Sequence, residues 1–146
     1  MDKGITPAAE GLNNASWNVV GQTYVPKLHS TNAFVWSADI PADTFVPPHI
    51  HPTQDEWIIV IDGNLEIEFS GDLHKAGPGD VVQMPMGVAH GIFNRSGAHA
   101  KAMFGVAPAR KLYDLFTVLD GVTDPAELTR LSALHEVDFL PPPEGA

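Results

Sequence analysis

A chain of 146 residues with 44% apolar side chains is long enough for one domain with a real core and too short for two ordinary ones. Its 18 acidic residues against 8 basic ones give a formal charge of −10 with no local Lys/Arg cluster, which excludes nucleic acid as an expected partner. The absence of cysteine rules out disulfides and thiolate ligands, so any metal must be held by histidine and carboxylate.

Residues 1–15 are small and polar, lack the apolar segment of a signal peptide, and read as a flexible arm. No run approaches a membrane span, so no membrane partner is expected and a cytoplasmic location is the default. Residues 17–24 and 33–40 are rich in strand formers and predict one strand each. A turn at 41–44 leads into an extended segment stiffened by Pro47 and Pro48, in which Phe45, Pro47, His49 and His51 share a face. Short apolar runs then alternate with tight turns: 57–61, closed by Asp62-Gly63, then 64–69, 73–76, 81–84, 90–94 and 100–106. Roughly eight to ten strands at spacings of about ten residues predict a sandwich or small barrel.

After Pro108 the period changes. Leu112, Leu115, Phe116 and Leu119 form a helical stripe that ends at Asp120-Gly121. Asp124-Pro125-Ala126-Glu127 opens a second helix, continued by Leu128, Leu131 and Leu134. Both helices are expected to cover apolar barrel surface, the lesser alternative being a part in a substrate lid. A proline-rich tail follows, and the whole of 1–146 reads as one domain: arm at 1–15, barrel at 30–107, helices and tail at 108–146.

Two histidines one residue apart, His49 and His51, project from the same side of a strand. Glu56 heads the next apolar run and brings a carboxylate close to them, a donor set that suits Fe, Mn, Ni, Co or Zn. The turn at Pro85-Met86-Gly87 redirects the chain so that His90 enters a strand aimed inward, with Ile92 and Asn94 on its face. Asp55 should point the other way. Trp57 and Ile59, off the Glu56 face, are expected outside the barrel or between subunits. Phe45, Ile58, Val60, Met84 and Ile92 are the candidates for substrate-binding pocket walls, with core packing as the competing role. His29, His74, His99 and His135 have no partner at ligand spacing and read as surface or capping residues.

The patterns His49-x-His51-x4-Glu56-x6-Gly63 and Gly79-x5-Pro85-x-Gly87-x2-His90-x3-Asn94 resemble the two signature motifs of the cupin superfamily, over about residues 30–107. One position departs: Asp43 stands where the motif opens with glycine. Aspartate tolerates left-handed backbone, so a changed loop is expected without loss of the metal. The resemblance implies an all-β fold, a small double-stranded β-helix of the jelly-roll type (a cupin barrel), with a short C-terminal helical extension. It implies that His49, His51, Glu56 and His90 hold one divalent transition metal, the alternatives being Gln54 or water in place of one ligand, or an empty site. It also implies a homodimer, for which the 17–24 strand and the arm offer a place for edge pairing.

The short separation of Gly63 from Gly79, the Gln54-Asp55-Glu56 ending of the first motif and the helical tail look most like quercetin-dioxygenase-type cupins. What that resemblance implies is a metal-dependent dioxygenase, with Glu56 as catalytic base, cleaving a C–C bond of a small, enolisable molecule, flavonol-like or 1,3-dicarbonyl, with dioxygen as co-substrate. Two other readings use the same residues: a non-redox isomerase, cyclase or decarboxylase, and a non-catalytic metal-binding or small-molecule-binding module.

Overall fold

The structure, a computed structural model, describes residues 1–141; the last part of the expected tail, 142–146, lies outside the described residues. Ten strands run before the helices: β1 (Trp17–Val19), β2 (Gln22–His29), β3 (Phe34–Ile40), β4 (Phe45–Ile50), β5 (Asp55–Asp62), β6 (Leu65–Phe69), β7 (Asp72–Ala76), β8 (Val81–Met84), β9 (His90–Phe93) and β10 (Ala100–Ala107). Helices α1 (Leu112–Leu119) and α2 (Pro125–Leu134) follow, and a two-residue strand, β11 (Asp138–Phe139), returns to the sheets. The strands form two antiparallel sheets, ordered β1-β2-β3-β10-β5-β8 and β11-β4-β9-β6-β7. The expected all-β barrel is thus a mixed fold: a pair of open sheets with helices attached, and no pairing among the described residues joins the end strands of either sheet. Among the described residues, no helix is long and apolar enough to cross a membrane.

Alternation along the strands puts one face of each sheet inside. Phe34, Ile40, Ile58, Leu65, Ile67, Met84, Ile92 and Phe104 fill the space between, all fully buried. On the outer face the Trp57 ring lies against Gly105, where any side chain would collide with it.

Residues 17–24 are not one strand. Val20 and Gly21 take φ of 50° and 82°, the signs of a type I′ hairpin turn, and pair Trp17 with Tyr24. Nor is this edge open to a second copy at Asn18. The Asn18 N–H donates to Asp120 Oδ1 (2.8 Å) and its carbonyl accepts from Gly121 N–H (2.9 Å), so α1's C-terminal end already occupies the expected pairing site. The arm, expected to be flexible, runs along β2. Lys27 Nζ donates to the carbonyls of Pro7, Ala8 and Glu10, and Thr6 Oγ1 donates to Lys27 O.

β4 carries an irregularity that decides which of its residues face inward. Val46 pairs with Ile92 but His49 pairs with His90, a shift of register that matches one extra residue on β4, as in a β-bulge. Strict alternation would put Phe45 on the His49 face. With the shift, Val46 takes the inward position, and Phe45 is half exposed and stacked on Phe93 with ring centroids 5.9 Å apart.

α1 buries the expected stripe, Leu112, Leu115, Phe116 and Leu119, against Trp17, Tyr24 and Trp36. In α2, Asp124 caps the N-terminus by accepting from Ala126 N–H (3.3 Å), and Pro125 follows at the first helical position. The leucine stripe misleads here, since Leu134 is 60% exposed whereas Ser132 is fully buried.

Candidate metal centre

The two sheets bring four side chains to one point. His49 and His90 stand directly opposite each other on β4 and β9, His51 lies just past the end of β4, and Glu56 reaches in from β5 of the facing sheet. All four are buried, and one ligand atom from each lies within 4.8 Å of every other. His51 Nε2 is 2.8 Å from Glu56 Oε2, and His90 Nε2 is 3.8 Å from Glu56 Oε1. The second motif is tied to the first: Gly87 N–H donates to His51 O, and Met86 N–H donates to the outward-facing Asp55.

The outer nitrogen of each imidazole is engaged. His49 Nδ1 is 2.8 Å from Pro47 O, His90 Nδ1 is 3.2 Å from Val88 O, and His51 Nδ1 is 2.8 Å from Gln54 Oε1. Carbonyl oxygens can only accept, so each Nδ1 carries the proton and each Nε2 is turned toward the shared point. Gln54 is therefore a brace and not a ligand. Its amide nitrogen donates to Pro108 O (3.0 Å) and Ala109 O (2.8 Å), which fixes its oxygen on His51.

The charges follow from burial and crowding. Burial, and then the neighbouring His90 and His51, push His49 down to about 3, so it stays neutral. Burial likewise lowers His90. For His51 burial works against the charged form, but Glu56 and Gln54 outweigh it and the net shift is upward. Burial alone would raise Glu56; the three histidines, His51 foremost, hold it down at about 2. Burial, with Glu56 adding to it, raises the Tyr24 phenol.

His90 Nε2 is buried with no hydrogen-bond partner, which is unfavourable unless something else engages its lone pair. Three imidazole nitrogens and one carboxylate around one buried point make a plausible site for a single divalent transition metal. The set would saturate a tetrahedral ion but leave two positions free on an octahedral one.

A chamber of about 50 Å³ adjoins His49, His51 and Glu56. Of the expected wall residues, Ile92 lines it. Ile58, Val60 and Met84 are fully buried in the core instead, and Phe45 faces outward past the β4 irregularity. Sequence reasoning missed Val46, which the register shift turns inward, and the aromatic walls Tyr24, Trp36 and Phe104. The sequence favours the helices as cover for apolar barrel surface, with a part in a substrate lid as the lesser alternative; Leu112, Leu115, Phe116, Leu128 and Ser132 line the chamber, and Phe139 packs on His49 at 5.3 Å between ring centroids. The signal for Ser132 was its place four residues after Leu128, on the same helical face. The other histidines lie elsewhere: His29 stacks on Tyr113, His74 is near Phe69, His99 is near Asp39, and His135 ends α2.

Residues 36–106 match the family model described as "Cupin domain". Germin-like protein 9-3 of Oryza sativa subsp. japonica is 29% identical over 128 residues, 82% of this chain and 60% of the relative. The tetracenomycin polyketide synthase protein TcmJ of Streptomyces glaucescens is 24% identical over 79 residues, 54% of this chain and 53% of the relative. The match thus spans less than two thirds of either curated relative. Among solved structures, KdgF from Halomonas sp. superposes with a TM-score of 0.67 at 18% identity, over 77% of this chain and 99% of that one, a likeness of fold.

Proposed function

We infer, from a chain that is a single cupin-superfamily domain with the double-stranded β-helix fold, that it is a metal-dependent oxidoreductase. Its substrate would be a small, enolisable, oxygen-bearing molecule, and its reaction a dioxygenase cleavage of a C–C bond. The observation that carries this reading is the buried three-histidine, one-glutamate cluster opening onto an apolar chamber without Arg or Lys in its wall. When bound by His49, His51, Glu56 and His90, a divalent transition metal supplies Lewis acidity and, for a redox-active ion, access to dioxygen chemistry.

The chain's own residues set the rest. Pro47 O, Gln54 and Val88 O lock the imidazoles in one tautomer. The surrounding apolar side chains exclude water. Glu56 is the carboxylate placed to accept the proton of a substrate hydroxyl or acidic C–H and leave the enolate oxygen as the electron-rich end; the His51 contact that lowers it also weakens it as a base, so the transfer requires that contact to open. The chamber is about a third of the ~150 Å³ cavity that takes benzene, which favours compact 1,3-dicarbonyl compounds over flavonols.

The test is elemental analysis of purified protein, then oxygen uptake with acetylacetone, benzoylacetone and quercetin after loading Fe, Mn, Ni or Co in turn. Uptake with a dicarbonyl supports the reading, and none with any metal removes it. The likeness to a polyketide synthase protein favours one further reading, Lewis-acid cyclisation or isomerisation of a poly-carbonyl compound at the same ligands. Turnover without oxygen would select it.

A further inference from the structure

The chamber beside the metal ligands is closed on one side by a segment that the rest of the fold holds weakly. Leu128, Ser132, Val137 and Phe139 all line it, and all four come from residues 122–140, which include α2 and β11. At about 50 Å³ the space is a third of the ~150 Å³ cavity that takes benzene, so neither a 1,3-dicarbonyl compound nor any other organic molecule of that size can sit beside Glu56 while those four walls stay in place. Such a molecule must displace a wall.

The sheets and α1 are not the wall that moves. α1 seats Leu112, Leu115, Phe116 and Leu119 on the core aromatics, and its C-terminal end is bonded to both backbone groups of Asn18. Just past that anchor Gly121 stands at φ 78°, with open space where a side chain would be, which makes it a natural pivot. From there to Leu140 only Ser132 and Val137 are buried. The segment returns through β11, paired with β4 at Ile50 and His49 alone and followed by one bond from Leu140 N–H to Pro48 O (3.0 Å). Between α2 and β11, the Glu136 carboxylate accepts twice from Arg110 (2.6 and 3.0 Å) and once from Thr53 Oγ1 (3.3 Å). Arg110 and Glu136 take φ of 48° and 66°, left-handed backbone that residues other than Gly and Asn rarely adopt. Strain on both partners of one ion pair marks that pair as having a task, and a surface pair adds too little stability to be a permanent tie.

We propose that residues 122–140 are a strap over the metal centre, pivoting at Gly121 and fastened by the Arg110–Glu136 clasp, and that an organic molecule reaches the four ligands only when β11 peels from β4 and Phe139 lifts off the His49 ring. This structure is the closed state. The need to open rests on the substrate reading above, but the pivot, the clasp and the weak attachment do not. Lifting the strap exposes two buried side chains and breaks a two-residue ladder, an opening well short of unfolding the sheets. Ser132 makes it easier: its Oγ has no partner when the strap is shut and gains water when it lifts. The clasp is ionic and exposed, so salt should loosen it.

The chain has no cysteine, so a single thiol introduced by Ser132→Cys reports the opening of the strap through its rate of alkylation by iodoacetamide in metal-free protein. The rate should exceed by at least ~100-fold what global unfolding of the same variant allows, and should hardly change in low urea. Val137→Cys, at the other buried position, should behave alike and decides the point if the first variant does not fold. Adding Glu136→Gln should speed alkylation roughly two- to fivefold, and about 1 M NaCl should do so only while the clasp is intact. On cobalt-loaded protein, imidazole, a ring close to benzene in size, should reach the metal faster in Glu136→Gln than in wild type by the same factor, read from the visible bands. Alkylation that tracks global unfolding, or that Glu136→Gln leaves unchanged, overturns the strap and its clasp. Imidazole entry that ignores Glu136→Gln overturns the gating of the metal centre. A protein that takes up no cobalt refutes the metal reading instead, and the strap is then decided by alkylation alone.

Discussion

Gln54 joins the metal site to the start of the helical segment, and replacing it by leucine tests both ends of that connection. The substitution keeps the volume roughly but leaves the buried His51 Nδ1–H without a partner; Pro108 is exposed and its carbonyl can turn to water, and Ala109 O keeps the Leu112 N–H at 3.4 Å. At roughly 1–3 kcal/mol for that orphaned group, less about 1 kcal/mol regained by burying the leucine, the metal-free protein should lose up to about 2 kcal/mol. Losing the group that orients a ligating imidazole typically weakens metal affinity by ~10–100-fold. Urea unfolding of metal-free protein reads the first quantity, and a chelator-competition titration with Co(II) reads the second. Gln54→Glu separates them. Its carboxylate still accepts from His51 but cannot donate to Pro108 or Ala109, so stability should fall while affinity holds. If Gln54→Leu binds cobalt as wild type does, the proton-bearing nitrogen of His51 is not set by Gln54 and the tautomer argument fails.

Acid should destabilise the metal-free protein in two stages. His49, at about 3 in the fold, and His90, also lowered, take up protons more readily when unfolded, so stability falls as pH drops below about 6.5. Glu56, at about 2 in the fold, adds a loss as pH falls from its ordinary 4.5 toward 2; His51 runs the other way, its contribution disappearing as pH rises through its raised value. Thermal scans from about pH 7 to about pH 4 should show a falling midpoint, and a flat one would mean that His49 is not held neutral. Gly63→Ala, at φ 80° and with a new Cβ within 2.8 Å of His99 O and Ala100, should cost about 1–3 kcal/mol in urea unfolding. Asp43→Gly restores the glycine at the one departing motif position. Asp43 already takes φ 66°, so cobalt affinity should be unchanged and stability should move by less than about 1 kcal/mol.

What could be read from the chain was whatever local chemistry dictates. Spacing of two on a strand gave His49 and His51 a common side, the Pro85-Met86-Gly87 turn aimed His90, and Asp124-Pro125 started α2 where expected. The departing Asp43 adopts the left-handed backbone that its glycine-like role requires. The pocket walls were not legible in this way, because they depend on events between strands. One register shift in β4 exchanges Phe45 for Val46, and nothing in Phe45-Val46-Pro47-Pro48 announces it. The split of residues 17–24 was more accessible, since Gly21 was a signal, but Val20 in a left-handed conformation runs against its own propensity.

The same contrast explains why the helices matter to the site. A leucine stripe at 128, 131 and 134 points to an apolar contact surface, but the face actually buried carries Leu128 and Ser132, a rotation that turns a hydroxyl inward and leaves Leu134 in solvent. Packing alone gives no reason for that choice, because an alanine would fill the same space without an orphaned oxygen. A helix that turns a serine inward at the expense of a leucine, over a chamber that also holds an unmatched indole N–H, is oriented by something other than apolar burial. If the hydroxyl has no partner within the fold, Ser132→Ala should raise the urea midpoint of the ligand-free protein. A fall in that midpoint would show instead that the hydroxyl stabilises the helix's own packing.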